Sequence, residues 1–324
     1  MTTHRSAPRG FTLIELMIAL VLFSFLISGV LAVAVSLTQG YRDQRAAIQT
    51  ESAVRLPMDF LADVLRQASP AVSTGLIQDA ATCTTAALTV TNNFGGNGWD
   101  QLDLIYASGA VATSSRTIYT TGTLSLDVDD ATGLAVGDSI VISNVMQGHL
   151  VKITAIASNT LTLATQCATI ALPSGGYPAG SIVVRAVHGI FFIGTVDGMP
   201  TLMMNPTGDP TTNATKGEPL AEGIEDMQIA IGYDVDGNST VDEVGLAAGD
   251  DEWQGNFTGD STLTGTLHAI RITLIARTTT GWMGNAHPFS RPASEDHAAS
   301  ATFDAYRRRV MRTIVEFRNL AGSP

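Results

Sequence analysis

The feature that most constrains this chain is Leu16–Leu37, a run of 22 residues without one charged side chain. As a helix rising ~1.5 Å per residue it spans roughly 33 Å, enough to cross the hydrocarbon core of a bilayer. The polar segment ahead of it, Met1–Gly10, carries Arg5 and Arg9 and no acid. That asymmetry predicts a cytoplasmic N-terminus and export of everything after the run. A cleaved secretory signal fits poorly, because its apolar core is roughly 7–15 residues and ends at a small-residue cleavage site. Here the run leads into Gly40-Tyr41-Arg42-Asp43. A plain uncleaved anchor accounts for every residue except Glu15. A carboxylate deep in a membrane helix costs on the order of 3 kcal/mol, so an acid at the lip of such a run implies a partner.

Gly10-Phe11-Thr12-Leu13-Ile14-Glu15-Leu16 resembles the class III leader junction of type IV pilins and type II secretion pseudopilins. The resemblance implies that a prepilin peptidase in the membrane cuts between Gly10 and Phe11 and methylates the new N-terminal Phe11, leaving Glu15 as the fifth mature residue. On this reading residues 1–10 are a leader peptide. Residues 11–69 form an N-terminal helix with its membrane span at about 16–37, and residues 70–324 form a periplasmic or extracellular head. The new amine on Phe11 is positive and Glu15 is negative, and four residues apart they share a helix face. In a filament Glu15 can also meet the amine of a neighbouring subunit. An unpaired buried charge is strongly penalised, so this pairing can set the register of one subunit against the next. Major pilins often carry Pro at mature position 22; here that position is Ala32, and Ser28, Gly29 and Gly40 are the nearby softeners.

Beyond the span, Phe60, Leu61, Val64, Leu65 and Ala68 repeat with the spacing of one helical face. The helix is therefore predicted to continue to about Ala68, with a kink near Pro57 and a stop at Ser69-Pro70. The pattern then turns to strands. Leu102–Tyr106 is one candidate. Residues 122–165 hold short alternating runs, at Leu124/Leu126/Val128, Ile140/Ile142, Val151/Ile153 and Leu161/Leu163, separated by turn signals such as Gly137-Asp138. They suggest a small β-module inserted at about residues 108–185. Two further runs, Ile182–Val187 and Ile190–Val196, precede a polar loop at Asn205–Gly217. Three segments predict a C-terminal sheet: Met227/Ile229/Ile231/Tyr233, Ile270/Ile272/Leu274 with Arg271 and Thr273 outward, and Val310–Phe317. Such one-sided strands need a cover, and the amphipathic half of the first helix is the natural one. The expected class is α+β and type IV pilin-like, a long N-terminal hydrophobic helix packed on an antiparallel sheet.

Within the pilins, the C-terminal half resembles the PilW-type minor pilins. The carrying features are Glu222–Gln228, an acidic Asp-x-Asp-Gly-Asn loop, the strand Ile270–Arg277, and Tyr306-Arg307-Arg308-Arg309-Val310 running into Phe317-Arg318-Asn319-Leu320. The resemblance implies a minor pilin that helps initiate pilus assembly and sits in a tip complex supporting adhesion. Its partners would be other minor pilins, the major pilin and a tip adhesin, with the inner membrane holding the subunit before assembly. A minor pseudopilin of type II secretion, similar to the GspJ type, shares this architecture and is the alternative.

The acidic loop Asp234-Val235-Asp236-Gly237-Asn238-Ser239-Thr240-Val241-Asp242-Glu243 places oxygens at alternate positions. Asp234, Asp236, Asn238, Asp242 and the carbonyl of Thr240 could wrap a hard cation such as structural Ca²⁺. It departs from a full EF-hand, with Ser239 in place of the loop glycine and Gly245 in place of the closing Glu. A solvated acidic turn is the other reading, and Asp250-Asp251-Glu252 reads as a surface loop. Cys83 and Cys167 would lie where disulfides persist. Bonded, they would contribute roughly 4–5 kcal/mol through the long loop they close; two separate thiols are the alternative. With 18 basic against 30 acidic residues and a net charge of −12, a nucleic-acid surface is not expected. The six histidines form no metal-protease pair, and there is no G-x-S-x-G or phosphate-binding Gly-Lys-Ser/Thr loop. No enzymatic role and no other cofactor are expected. The run Arg307-Arg308-Arg309 is expected to pair with the acidic surface or a neighbouring pilin.

Overall fold

The computed structural model describes residues 12–85, 87–96, 98–120, 122–167, 173–238, 240–242, 251–256, 263, 265–281 and 288–317. Gly10, Phe11, Ser239, Glu243, Gly245, Asp250 and Arg318–Leu320, all singled out by the sequence, lie outside them. In chain order the elements are α1 (Leu13–Arg66), β1 (Ile77–Asp79), β2 (Leu88–Thr91), β3 (Gln101–Ser114), β4 (Ser125–Asp127), β5 (Ser139–Ser143), β6 (Gly148–Ala157), β7 (Thr160–Leu163), β8 (Ile182–Val196), β9 (Met199–Asn205), α2 (Asn213–Lys216), β10 (Glu218–Glu222), β11 (Ile224–Asp234), β12 (Trp253–Gln254), β13 (Thr266–Arg277) and β14 (Arg308–Glu316). The class is α+β, a long N-terminal apolar helix with antiparallel sheets, as in pilins.

The chain divides into two compact units, Met1–Gln49 and Thr50–Pro324. In the first, the described side chains of α1 are almost all exposed, Leu, Ile, Val and Phe included. By length and composition this helix contains a stretch able to cross a membrane. In the second unit the residues from Thr50 onward are amphipathic. Val54, Met58, Leu61, Val64 and Leu65 are buried, while Glu51, Arg55, Asp63 and Arg66 are exposed. The helix continues unbroken through Pro57 to Arg66, so the proline does not end it. Pro57 lacks an N–H, which removes one helical hydrogen bond. The chain leaves the helix where Ser69 takes φ 52 and its N–H bonds to the carbonyl of Ile105.

Two sheets follow. In the first, β8 is the spine. Along one edge it pairs with β3, and along the other with β5 and then β9, all antiparallel. The order β10-β9-β8-β5-β6-β7-β4 continues outward, with β2 on β3 and β1 parallel to β6. The two runs predicted on either side of Gly189 are thus one strand. A side chain there would meet Tyr106 and Met204 at 3.1–3.2 Å, and glycine leaves that space to them. The 122–165 runs form β4–β7 around their own apolar cluster, including Tyr119, Leu126, Ile140 and Leu161, yet β5 and β6 are hydrogen-bonded into the same sheet as β8. The second sheet has the order β12-β11-β13-β14, antiparallel throughout. Its three long strands are the predicted C-terminal segments.

The main core lies between the buried side of Thr50–Arg66 and both sheets. It includes Leu61 and Leu65 from the helix, Leu104 and Phe191 from the first sheet, and Ile229, Ile272 and Val315 from the second. Each such side chain, fully buried, contributes ~1.5–3 kcal/mol. One expectation is corrected here. Arg271 and Thr273 do point to the other face of β13, but they are buried at 2% and 0% exposure rather than solvated. The segment 288–306 covers them, closed on itself by bridges Phe289–Asp304 and Ser294–His297.

Candidate functional sites of assembly, metal binding and cross-linking

Glu15 sits in the first turn of α1 and closes a capping box with Thr12. The Thr12 N–H and hydroxyl both donate to Glu15 Oε2, at 3.0 and 2.9 Å, and the Glu15 N–H donates to Thr12 Oγ1 at 3.3 Å. One carboxylate oxygen thus takes both Thr12 donors, and Oε1 accepts no hydrogen bond among the described residues. Further along, the hydroxyls of Ser24, Ser28 and Thr38 donate back to the carbonyls of Val21, Ser24 and Ala34. The polar groups of these side chains are satisfied within their own helix.

Cys83 and Cys167 are brought together at a Cα–Cα distance of 5.9 Å and are joined through their sulfurs. Backbone bonds place both: the Cys83 N–H on the carbonyl of Asp79, and the Cys167 N–H on that of Ala80. The side chain of Asp79, at the end of β1, meets His188 of β8. His188 Nδ1 lies 2.6 Å from Asp79 and Nε2 2.6 Å from Asp103, and only the imidazolium can donate to both. Burial works to depress the His188 pKa, but the bonds and charges of Asp103 and Asp79 outweigh it and hold it at about 9. His149 is the opposite case. Both of its ring nitrogens are buried without a partner among the described residues, and burial pushes its pKa down to about 4.

The acidic loop follows β11. The side chains of Asp234 and Asp236 converge, and Glu252 joins them, with one oxygen of each within 4.8 Å of the others. Asp234 accepts the Gly237 N–H at 2.7 Å, Asp236 the Asn238 N–H at 3.0 Å and Asn238 the Thr240 N–H at 2.7 Å. The Asn238 amide donates to Asp236 and Asp242. Glu252 accepts the N–H groups of Val235, Asp236 and Asp242, so it binds both ends of the loop. For Asp251 and Glu252 the reading as a surface loop is therefore corrected: Asp251 is buried, and Glu252 belongs to the cluster. A cluster of hard oxygens fits a cation such as Ca²⁺ in donor type. Sequence spacing could not find Glu252, because it lies ten residues beyond Asp242 with no pattern linking the two.

The covered face of the second sheet is ionic. Asp226, fully buried, accepts from Arg291 at 2.9 Å, from His297 at 2.8 Å and from Gln228 at 2.8 Å. Arg271 pairs with Glu295 at 2.7 Å and stacks over Trp253; Thr273 donates to the same Glu295. Arg308 of the basic run pairs with the acids Glu225 and Asp304, in line with its expected pairing, while Arg309 is exposed. Asp100 accepts the N–H groups of Asn93 and Ile229, and burial raises its pKa to about 7, with Asp296 and Asp226 adding to the rise. A cleft of about 360 Å³ opens here, lined by Trp99, Glu225, Arg291, His297, Ser300 and Arg308.

Comparison with family models matches residues 190–319 to the type IV pilus-assembly protein W family and residues 5–31 to the prokaryotic N-terminal methylation motif. No curated protein and no solved structure matches the chain. An N-terminal methylation motif overlapping a long apolar helix, followed by antiparallel sheets, places the chain in the type IV pilin class. Within that class its C-terminal part is similar to the PilW-like minor pilins, the match covering β11, β13 and β14 together with the ionic cover.

Proposed function

We propose that this chain is a low-copy pilus subunit that primes assembly and remains in the tip complex, where it supports adhesion. The observation that supports this reading is the pairing of a methylation-motif helix with a large head. The helix offers the Glu15 carboxylate for the core of a filament. The head, Thr50–Pro324, would crowd its neighbours if repeated along a shaft. Prepilin peptidase would cut between Gly10 and Phe11 and methylate Phe11, and the subunit would wait in the inner membrane with its head in the periplasm. Other minor pilins, the major pilin and a tip adhesin are the partners of this reading. Its role is structural rather than catalytic, with Ca²⁺ as a structural ligand of Asp234, Asp236, Asn238, Thr240 and Asp242, now joined by Glu252.

Mass spectrometry of the membrane form should find residues 1–10 removed and one methyl group on Phe11. Deletion should reduce surface pili, and Glu15→Ala should insert in the membrane but fail to restore them. Dense immunogold labelling along the shaft would contradict the tip location. Unchanged piliation with a defect in protein secretion would transfer the chain to the pseudopilins.

A further inference from the structure

Sheet edges expose rows of unpaired N–H and C=O groups, and proteins ordinarily blunt them. Most free edges here are blunted. β10 carries Pro219 and a register shift, β12 has two residues, β4 three and β2 four. β14 is different. It has nine residues, Arg308–Glu316, contains no proline or glycine, and pairs with β13 without a bulge from Arg308 to Glu316. Among the described residues nothing pairs with its outer side.

The hydrogen-bond phase identifies the outward groups. At the two ends of the ladder, the Thr278 N–H bonds to the carbonyl of Arg307 and the Phe317 N–H to that of His268. In an antiparallel pair such residues alternate with ones that face away. Arg309, Met311, Thr313 and Val315 therefore bond to β13, and Arg308, Val310, Arg312, Ile314 and Glu316 turn their backbone N–H and C=O outward. Val310 and Ile314 expose 42% and 52% of their surface beside this edge. Arg309 is exposed on the opposite face of the strand, whereas Arg312, on the face of Val310 and Ile314, pairs with Glu295 at 3.0 Å, in a chain whose net charge is −12.

We propose that the outer edge of β14 is a docking edge, to which a different chain of the pilus adds an extended segment alternating apolar and acidic residues. Main-chain bonds to the outward groups would carry affinity, and the flanking side chains would carry specificity. Val310 and Ile314 supply apolar contact on one face of the strand, while Arg309 favours acids on the other. A second copy of this chain is the wrong occupant, because β14 against β14 would oppose arginine-rich strands. The proposal rests on the chain being a pilus subunit and deepens that reading by naming the surface its partner uses.

The test is hydrogen–deuterium exchange on the full-length chain in detergent micelles. The probe is a synthetic peptide as long as β14 that alternates valine and glutamate; a valine–lysine peptide is the control. The acidic peptide should slow exchange at Val310, Arg312 and Ile314, and the lysine peptide should not. Ile314→Pro removes an outward N–H and leaves the ladder to β13 intact, so it should abolish the slowing at an unchanged melting temperature. Should that variant unfold, Val310→Glu with Ile314→Glu repels the acidic strand and should abolish it instead. Absence of slowing, equal slowing by the lysine peptide, or slowing that survives these substitutions overturns the docking edge. Piliation separates the two levels. If deletion leaves pili unchanged, the pilus function fails, whatever the peptide does. If deletion removes pili and the exchange test is negative, the docking edge alone fails.

Discussion

The two faces of the C-terminal sheet are buried by opposite means. Toward the helix, Met227, Ile229, Ile270, Ile272, Leu274 and Val315 are packed against Leu61, Leu65 and their neighbours. On the reverse face, Asp226, Gln228, Arg271 and Thr273 are buried just as deeply, under the segment 288–306. Hydrophobic contact is non-directional and tolerates repacking. A buried charge tolerates no loss of its partner, because the remaining ion cannot return to water. The first face therefore holds the helix, while the second dictates where one irregular segment must lie.

Removing one member of the reverse-face network should have the largest effect. Glu295→Ala removes the buried carboxylate that pairs with Arg271, whose side chain is 3% exposed, and with Arg312, and should cost ~3–5 kcal/mol. On the helix face, Ile272→Ala should cost ~2–5 kcal/mol through lost burial and a cavity. Denaturant melts of the two variants compare the faces directly. Arg271→Met with Glu295→Leu should regain most of the stability lost in Glu295→Ala; a double variant as unstable as the single one would show that the charges do more than satisfy each other.

The Cys83–Cys167 link offers a covalent control lying in neither face. Cys83→Ala with Cys167→Ala should lower stability by ~4 kcal/mol, and non-reducing peptide maps should recover the two cysteines joined. Two alkylatable thiols in the native protein would remove this contribution.

The Asp79–His188–Asp103 bridge tests whether paired charge also matters in the first sheet. The His188 pKa of about 9 lies above its ordinary 6.5. Its contribution is therefore complete below about pH 6.5 and is lost as pH rises through about 9. The melting temperature should fall by several degrees across that window, and His188→Gln should flatten the limb. An unchanged slope in the variant would assign the limb to other groups.

Calcium should give the smallest effect. At millimolar concentrations a weak loop site adds about 1 kcal/mol by mass action. The gain should disappear in Asp234→Ala with Asp236→Ala and diminish in Glu252→Gln. Identical melting with calcium and with chelator in the unaltered chain would leave the loop a hydrogen-bonded turn.

What the sequence disclosed follows the same division. Period-2 alternation located β11 and β13, and helical spacing located the buried side of Thr50–Arg66, because one-sided burial imposes periodicity. Arg271 and Thr273 looked solvent-facing because alternation records polarity, and polarity is silent about cover. Glu295 and Glu252 carried no signal, since their partners are distant in sequence and no pattern announces an ion pair. β9 and β10 were hidden by Pro200 and Pro219, and Gly189 hid that the two runs beside it are one strand, β8. Glu15 stood out because one acid against an apolar run is itself a pattern, but its bonds to Thr12 needed coordinates.

The hydroxyls of Ser24, Ser28 and Thr38, folded onto their own helix, have a consequence for a helix that must change surroundings. Those side chains ask nothing of whatever touches them. Hydrocarbon tails and the apolar flanks of other helices are then nearly interchangeable neighbours, differing mainly in how closely they pack. Moving from one to the other breaks no hydrogen bond along this stretch. The solvent of such a helix can be exchanged at little cost, and small differences in packing are enough to decide the direction of travel.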